Sequence, residues 1–183
     1  MQKFDSGLWR NRAWARFRRA LAAGKPKAEL EPAWALDVLA ICDLGTLVEW
    51  CEQRKIDVVF VKKVGATYYQ DTKQVKISSR LSPQRQLLFL LHECGHHLIG
   101  LKEHNSRYAM GYPQTDAETK KTFHHRLTCL EEEMEAWHRG WNLAERLNLR
   151  ISREDFDAVR LECLRTYVKW TLRPGKMERE EEE

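Results

Sequence analysis

The residues whose types and spacing point most directly to chemistry lie at positions 92–96, in the order His-Glu-Cys-Gly-His. Histidines four residues apart share one face of a helix, so the imidazoles of His92 and His96 can contact one metal ion. Glu93 follows the first histidine and can reach a metal-bound water without binding the metal itself. The spacing predicts a metal centre with Glu93 as its general base.

A helix from Ser82 to Gly100 is predicted to position these residues. Ser82 is a suitable N-cap, Pro83 suits the first helical position, and Gly100 is a suitable stop. The alternative is an amphipathic core helix whose histidines are only hydrogen-bonded, because the HExxH pattern also arises by chance. Four leucines favour burial of the back of the helix, as a rigid metal site requires: Leu87, Leu88, Leu90 and Leu91.

A third ligand is expected from the glutamate-rich segment 131–135, because a catalytic zinc site usually has three protein ligands and one open position. Glu133 is the first choice, since it borders a predicted buried stripe between Leu130 and Trp137. Glu132 is the second choice. The alternative is that these glutamates form a solvated acidic patch, as runs of like charge normally do.

Other histidines and one cysteine have less defined roles. His97 points about 100° away from His96 around the helix, so we expect it to support the ligands or to pack. Cys94 lies off the ligand face and is not expected to bind metal. His104, His124 and His125 can each stabilise an oxyanion, and the sequence does not rank them.

Three short segments before the metal helix predict a small sheet. Residues 56–62 are rich in β-branched side chains, and residues 67–69 contain two tyrosines. Residues 74–78 alternate apolar and polar side chains. The short turns between these segments favour an antiparallel meander that leads directly into the metal helix.

The segments before the strands predict two helices. Residues 24–32 indicate a linker or turn, and helices are expected at 33–44 and 46–55, separated at Gly45. With the small antiparallel sheet, the chain is therefore predicted to form a mostly helical α+β domain.

Beyond the metal helix, a loop at 101–114 is followed by a capping box at 115–118, which predicts a long helix to about Leu147. A final helix, capped by Ser152, is expected to end before Pro174. The long helix carries a stripe spaced by four and three residues, which predicts its buried face: Phe123, Leu127, Leu130, Met134, Trp137, Trp141, Ala144 and Asn148.

These motifs resemble the ImmA/IrrE family of metallopeptidases over roughly residues 44–145. That family shows HExGH followed by a segment of the type E-x-E-A-N, matched here at 92–96 and at 133–137, with Trp137 in place of the usual small polar residue. In related gluzincins the metal-binding glutamate lies three residues before the alanine, which corresponds to Glu133. The resemblance implies a zincin-like fold and a zinc-dependent endopeptidase, whose best-known relatives cleave helix-turn-helix repressors of mobile-element or stress-response genes.

Charge divides the chain into three regions. Residues 1–31 contain a basic helix with interleaved aromatic side chains and a linker, residues 32–173 form the zincin-like domain, and 174–183 form an acidic tail expected to be disordered. Amphipathic patterning favours docking of the basic helix on its own domain. The alternative is a weak nucleic-acid contact, in which arginines bind phosphates and aromatic rings stack on bases.

Composition excludes several classes of protein. The chain of 183 residues, 43% hydrophobic and 32% charged, is long enough for a buried core and is typical of a globular protein. No apolar run is long enough for a membrane span, and we expect no secretory signal. Five scattered cysteines favour reduced thiols in the cytoplasm, and a net charge of +4 is too small to indicate nucleic acid by itself.

The function predicted from these features is zinc-dependent peptide-bond cleavage in a specific protein substrate. His92, His96 and Glu133 would hold Zn²⁺, and Glu93 would act as the base. One alternative is a catalytically inactive, zinc-stabilised module that binds protein or nucleic acid. Another is a helical interaction protein without metal.

Overall fold

The computed structural model describes residues 3–62, 65–102 and 122–172. These residues form a mostly helical α+β fold, as predicted. The predicted loop at 101–114, the capping box at 115–118, His104 and the acidic tail at 174–183 lie wholly or mainly outside the described residues. The elements are α1 Ser6–Ala22, α2 Lys27–Gln53, β1 Asp57–Val61, β2 Ala66–Tyr69, β3 Gln74–Ser78, α3 Pro83–Lys102, α4 Phe123–Arg146 and α5 Arg153–Thr171.

The sheet is mixed, with the strand order β1-β3-β2, so the predicted antiparallel meander is wrong. β3 pairs in parallel with β1 and antiparallel with β2. Burial explains the order, because Val75 and Ile77 of β3 are completely buried and therefore suit the centre of the sheet. In β2, Thr67 and Tyr69 are exposed, as is usual for an edge strand.

Helix α3 lies at the centre of the core. The four leucines before His92 are all buried, which confirms the prediction for the back of this helix. Ser82 also acts as predicted, since its Oγ accepts a hydrogen bond of 3.3 Å from the backbone N–H of Arg85. The helix does not stop at Gly100 but continues to Lys102. The glycine provides space instead, because a Cβ there would lie 3.2 Å from the side-chain amide of Gln70.

Helix α2 is continuous, so both the predicted break at Gly45 and the full extent of the predicted linker are wrong. The helix begins at Lys27 and contains Pro32, which forgoes one intrahelical hydrogen bond near its N-terminal end. Gly45 does not break the helix but lies against the ring of Phe4, 3.4 Å from the position of a Cβ. Close packing against Phe4 therefore explains why a glycine occupies this position.

Helix α1 docks on the domain, as its amphipathic pattern predicts. Trp9, Ala13 and Phe17 are buried, and the ring of Trp9 lies 5.2 Å from that of Phe60 in β1. The nucleic-acid contact of this helix stays a prediction. Among the described residues, no helix is both long enough and apolar enough to cross a membrane.

The buried face of α4 matches the predicted stripe only in part, since Trp137 and Ala144 are buried. Phe123 and Met134 are 57% and 50% exposed, and Leu127 is also exposed. The helix instead turns several polar and small side chains toward α3, because it contributes to a polar site and approaches α3 closely. Its buried residues are His125, Arg126, Thr128, Cys129, Glu132, Glu133, Ala136, Trp137, Gly140, Leu143 and Ala144.

Helix α5 follows α4 and begins as predicted. The side chain of Ser152 accepts a hydrogen bond from the backbone N–H of Asp155 at the start of this helix. The connection before it is tied to α2, because Arg150 donates hydrogen bonds of 2.7 Å and 2.9 Å to the buried carboxylate of Asp43. These bonds fix the connection between α4 and α5 against α2.

Candidate metal centre

Two glycines allow the metal helix α3 to cross α4 in direct backbone contact. A Cβ at Gly95 would overlap the backbone carbonyl of Ala136, and a Cβ at Gly140 would lie 2.7 Å from the carbonyl oxygen of Leu91. At this crossing, each helix therefore has no side chain at the point where the backbone of the other helix passes. The close approach brings the face of α3 with the two histidines against the face of α4 with the glutamates.

The structure brings His92, His96 and Glu133 together. The two Nε2 atoms are 3.2 Å apart, the Oε2 of Glu133 lies 3.1 Å from Nε2 of His92, and its Oε1 lies 3.4 Å from Nε2 of His96. Tetrahedral bonds of about 2.0–2.1 Å place ligand atoms ~3.3 Å from one another, so this spacing fits Zn²⁺. These side chains form a buried group that can hold a metal ion.

The electrostatics of the group favour a bound cation. Burial alone would raise the pKa of Glu133, but hydrogen bonds and charge interactions with the two histidines lower it well below its usual value. Burial also opposes protonation of His96, yet contacts with Glu132 and Glu133 raise its pKa to about 10. The carboxylate is therefore ionised and requires a positive partner, which is either a protonated imidazole or a metal.

Glu132 supports the site from its outer side. Its Oε1 lies 3.3 Å from Nδ1 of His96, on the opposite side of the ring from the Nε2 that faces Glu133. Such a carboxylate contact fixes the tautomer and orientation of a metal-binding histidine. Of the two candidates for the third ligand, the geometry therefore favours Glu133, and Glu132 orients His96.

The other histidine is oriented by packing. The indole of Trp137 stacks on the ring of His92, with centroids 4.4 Å apart and an interplanar angle of 25°. Within the described part of the chain, the buried Nδ1 of His92 has no hydrogen-bond partner. At the position where the resembled family has a small polar residue, this chain thus holds its histidine by ring stacking.

Glu93 is buried beside the three potential ligands and lines the same cavity. Burial raises its pKa, although the nearby imidazoles and a hydrogen bond with the backbone of Tyr68 partly offset this effect. A buried carboxylate with a raised pKa holds a proton more readily than one in water, which suits a general base.

The cavity next to the triad has a volume of about 700 Å³, within the range of ligand-binding sites. β2 forms part of its lining, together with Glu162, Cys163, Thr166 and Tyr167 of α5. The sequence did not indicate the wall from α5, and it left open which strand of the small sheet would form the exposed edge. Tyr68 could have been noted because it lies in a predicted strand, but only the strand order shows that β2 is an edge.

The remaining candidates lie away from the triad. His97 is buried and its Nδ1 lies 2.8 Å from the hydroxyl of Tyr68, which suits a supporting or packing role. His125 is buried against Cys129, and exposed His124 lies elsewhere on α4; neither is among the described residues of the cavity wall. The thiol of Cys94 faces the back of α3, 3.5 Å from that of Cys51.

Comparisons with protein-family models, with curated proteins and with solved structures found no match to this chain.

Replacement of Glu132 by glutamine is expected to weaken metal binding about 10–100-fold without abolishing it, because His96 loses a charged acceptor that orients it. Titration of the metal-free protein with Zn²⁺ against a competing chelator measures this change. Glu131→Gln, at an exposed position one residue away, is the matched control and should bind as the wild type does. Complete loss of binding in Glu132→Gln would instead make Glu132 a ligand.

Proposed function

We propose that this protein is a zinc-dependent endopeptidase with a zincin-like fold, as the resemblance to the ImmA/IrrE family implies. The observation that carries the proposal is the convergence of His92, His96 and Glu133 with zinc-like spacing beside buried Glu93. Two imidazoles and one carboxylate leave a fourth position open, which is typical of catalytic rather than structural zinc.

When bound, zinc would supply Lewis acidity, lowering the pKa of a water molecule and polarising a peptide carbonyl. Glu93 would accept a proton from the attacking water and transfer it to the amine that leaves. The backbone of Tyr68 favours the ionised form of this carboxylate, which is the form that accepts a proton. Burial of Glu93 keeps the proton transfer away from bulk water.

The edge strand β2 is a reason to propose a protein substrate. Within the described ranges it pairs with β3 alone, and its residues line the cavity next to the triad. An extended peptide can add to such an edge through backbone hydrogen bonds, which would place one peptide bond near the metal. A transcriptional repressor is the substrate that the family resemblance implies, and a cytoplasmic location is the one that the scattered cysteines favour.

Metal content is the first test of this proposal. Untagged protein purified without chelator is expected to contain about one zinc per chain by mass spectrometry, and His92→Ala and Glu133→Ala are expected to lose it because each removes one of three ligands. His124→Ala and Glu131→Ala make the same changes at exposed positions of α4 and should retain the metal.

Two results would contradict this assignment. If Glu133→Ala binds zinc with full affinity, Glu133 is not a ligand. A folded wild-type protein that binds no zinc even after its addition would exclude the proposed peptidase.

A further inference from the structure

Part of the cavity wall beside the metal ligands is uncharged and largely apolar. It is formed by Phe89 of α3 and by Cys163, Thr166 and Tyr167 of α5. The hydroxyl of Thr166 donates a 2.7 Å hydrogen bond to the backbone carbonyl of Cys163, so this group is already satisfied within the helix. Burial raises the pKa of the Cys163 thiol to about 11, which keeps it neutral. This wall, which we call the α5 wall, offers contact area without charge.

Apart from the two histidines of the triad, the charged side chains in the described lining of the cavity are carboxylates. Among the described residues, its lining includes five carboxylates and neither lysine nor arginine: Asp71, Glu93, Glu132, Glu133 and Glu162. Of these five, Glu162 is paired with a cation outside the lining, since Arg85 donates two hydrogen bonds of 3.0 Å and 2.8 Å to it. Close to the triad, the carboxylates of Glu132 and Glu133 balance the two charges of a zinc ion, so no net positive charge is left to attract an acidic side chain.

Side chains of different chemistry would therefore meet different environments here. A large apolar side chain would exchange water for the rings of Phe89 and Tyr167, which is favourable. An acidic side chain would lose its hydration near other carboxylates. The described lining has no lysine or arginine that could compensate for this loss.

We infer that the α5 wall makes this site selective for peptides with a large apolar side chain next to the position of cleavage, and that it rejects peptides with an acidic side chain there. The inference rests on the proposed function, because it places a peptide in the cavity beside the metal. It adds a substrate class, which the metal ligands alone do not define.

Peptide binding tests this selectivity separately from catalysis. Fluorescent peptides that differ at one position (Phe, Leu, Ala or Glu) are titrated into zinc-loaded Glu93→Gln protein, while wild-type protein is assayed for their cleavage. Phe or Leu is expected to bind about tenfold more tightly than Ala, since each missing methylene in an apolar pocket weakens binding. Glu is expected to bind more weakly than Ala.

A charge introduced into the α5 wall should reverse the preference. Thr166 is exposed on its helix, so Thr166→Arg is compatible with folding, and it is expected to improve binding of the Glu peptide relative to the Phe peptide by at least about tenfold. Thr46→Arg is the matched control, because Thr46 is also an exposed helical threonine whose hydroxyl donates to a carbonyl four residues earlier. It should leave the preference unchanged.

The outcomes separate the two proposals. Apolar preference in binding, reversed by Thr166→Arg, supports the inference, and if the wild type cleaves none of these peptides, the peptidase assignment alone fails. Absence of peptide binding, equal binding of all peptides, or a preference for Glu would overturn the inference. An equal effect of Thr46→Arg and Thr166→Arg would overturn it as well.

Discussion

Glu93→Gln is expected to reduce peptide cleavage by about 10²–10⁴-fold while zinc content stays the same, because the change removes only the proton acceptor. The amide has nearly the same shape as the carboxylate and does not replace any of the three expected ligands. The fold should tolerate this change, because Glu93 is buried and burial already disfavours its charged form. The glutamine amide carries no charge and therefore avoids that cost. Cleavage of a protein or peptide substrate and metal content are measured on the same preparation.

The control for this experiment is Glu131→Gln, the same change at an exposed position. It should preserve both cleavage and zinc. If Glu93→Gln keeps full activity in an assay that depends on zinc, Glu93 is not the base. If wild type and variant bind zinc equally and neither cleaves any substrate, the zinc-stabilised binding module becomes the better description.

Gly95→Ala is expected to lower the free energy of unfolding by about 2–4 kcal/mol and to impair zinc binding strongly. Overpacking of a core usually destabilises a protein by about 1–3 kcal/mol. Here the added methyl would overlap the backbone carbonyl of Ala136, which cannot move as a flexible side chain can. Helices α3 and α4 would have to separate, and Glu133 would move away from His92 and His96. Denaturant unfolding and zinc titration measure the two effects.

Alanine substitutions at two other glycines provide a parallel variant and a control for Gly95→Ala. Gly140→Ala should act in the same direction, because its methyl would meet the carbonyl oxygen of Leu91 at 2.7 Å. Gly45→Ala is the control, since its nearest contact is the ring of Phe4 at 3.4 Å and alanine favours a helix by about 0.8–1.0 kcal/mol. Wild-type stability and zinc affinity in Gly95→Ala would show that the close crossing does not position Glu133.

The sequence by itself determined the local parts of this protein. Ser82 and Ser152 cap the helices as predicted, and the leucines before His92 are buried as predicted. These features depend on residues three or four positions apart, which the sequence shows directly. The spacing of the two histidines is also a local feature. The prediction of Glu133 as a ligand is local too, because it depends on Leu130 and Trp137, three residues before it and four residues after it.

Only the tertiary structure decided which elements meet. The order β1-β3-β2 depends on the burial of β3 against the helices, which the short turns between the strands do not reveal. The buried face of α4 was predicted only in part, because apolar periodicity finds Trp137 and Ala144 but assumes that charged side chains face water. Here Glu132 and Glu133 are buried against His92 and His96, and contacts between helices distant in sequence make that burial favourable.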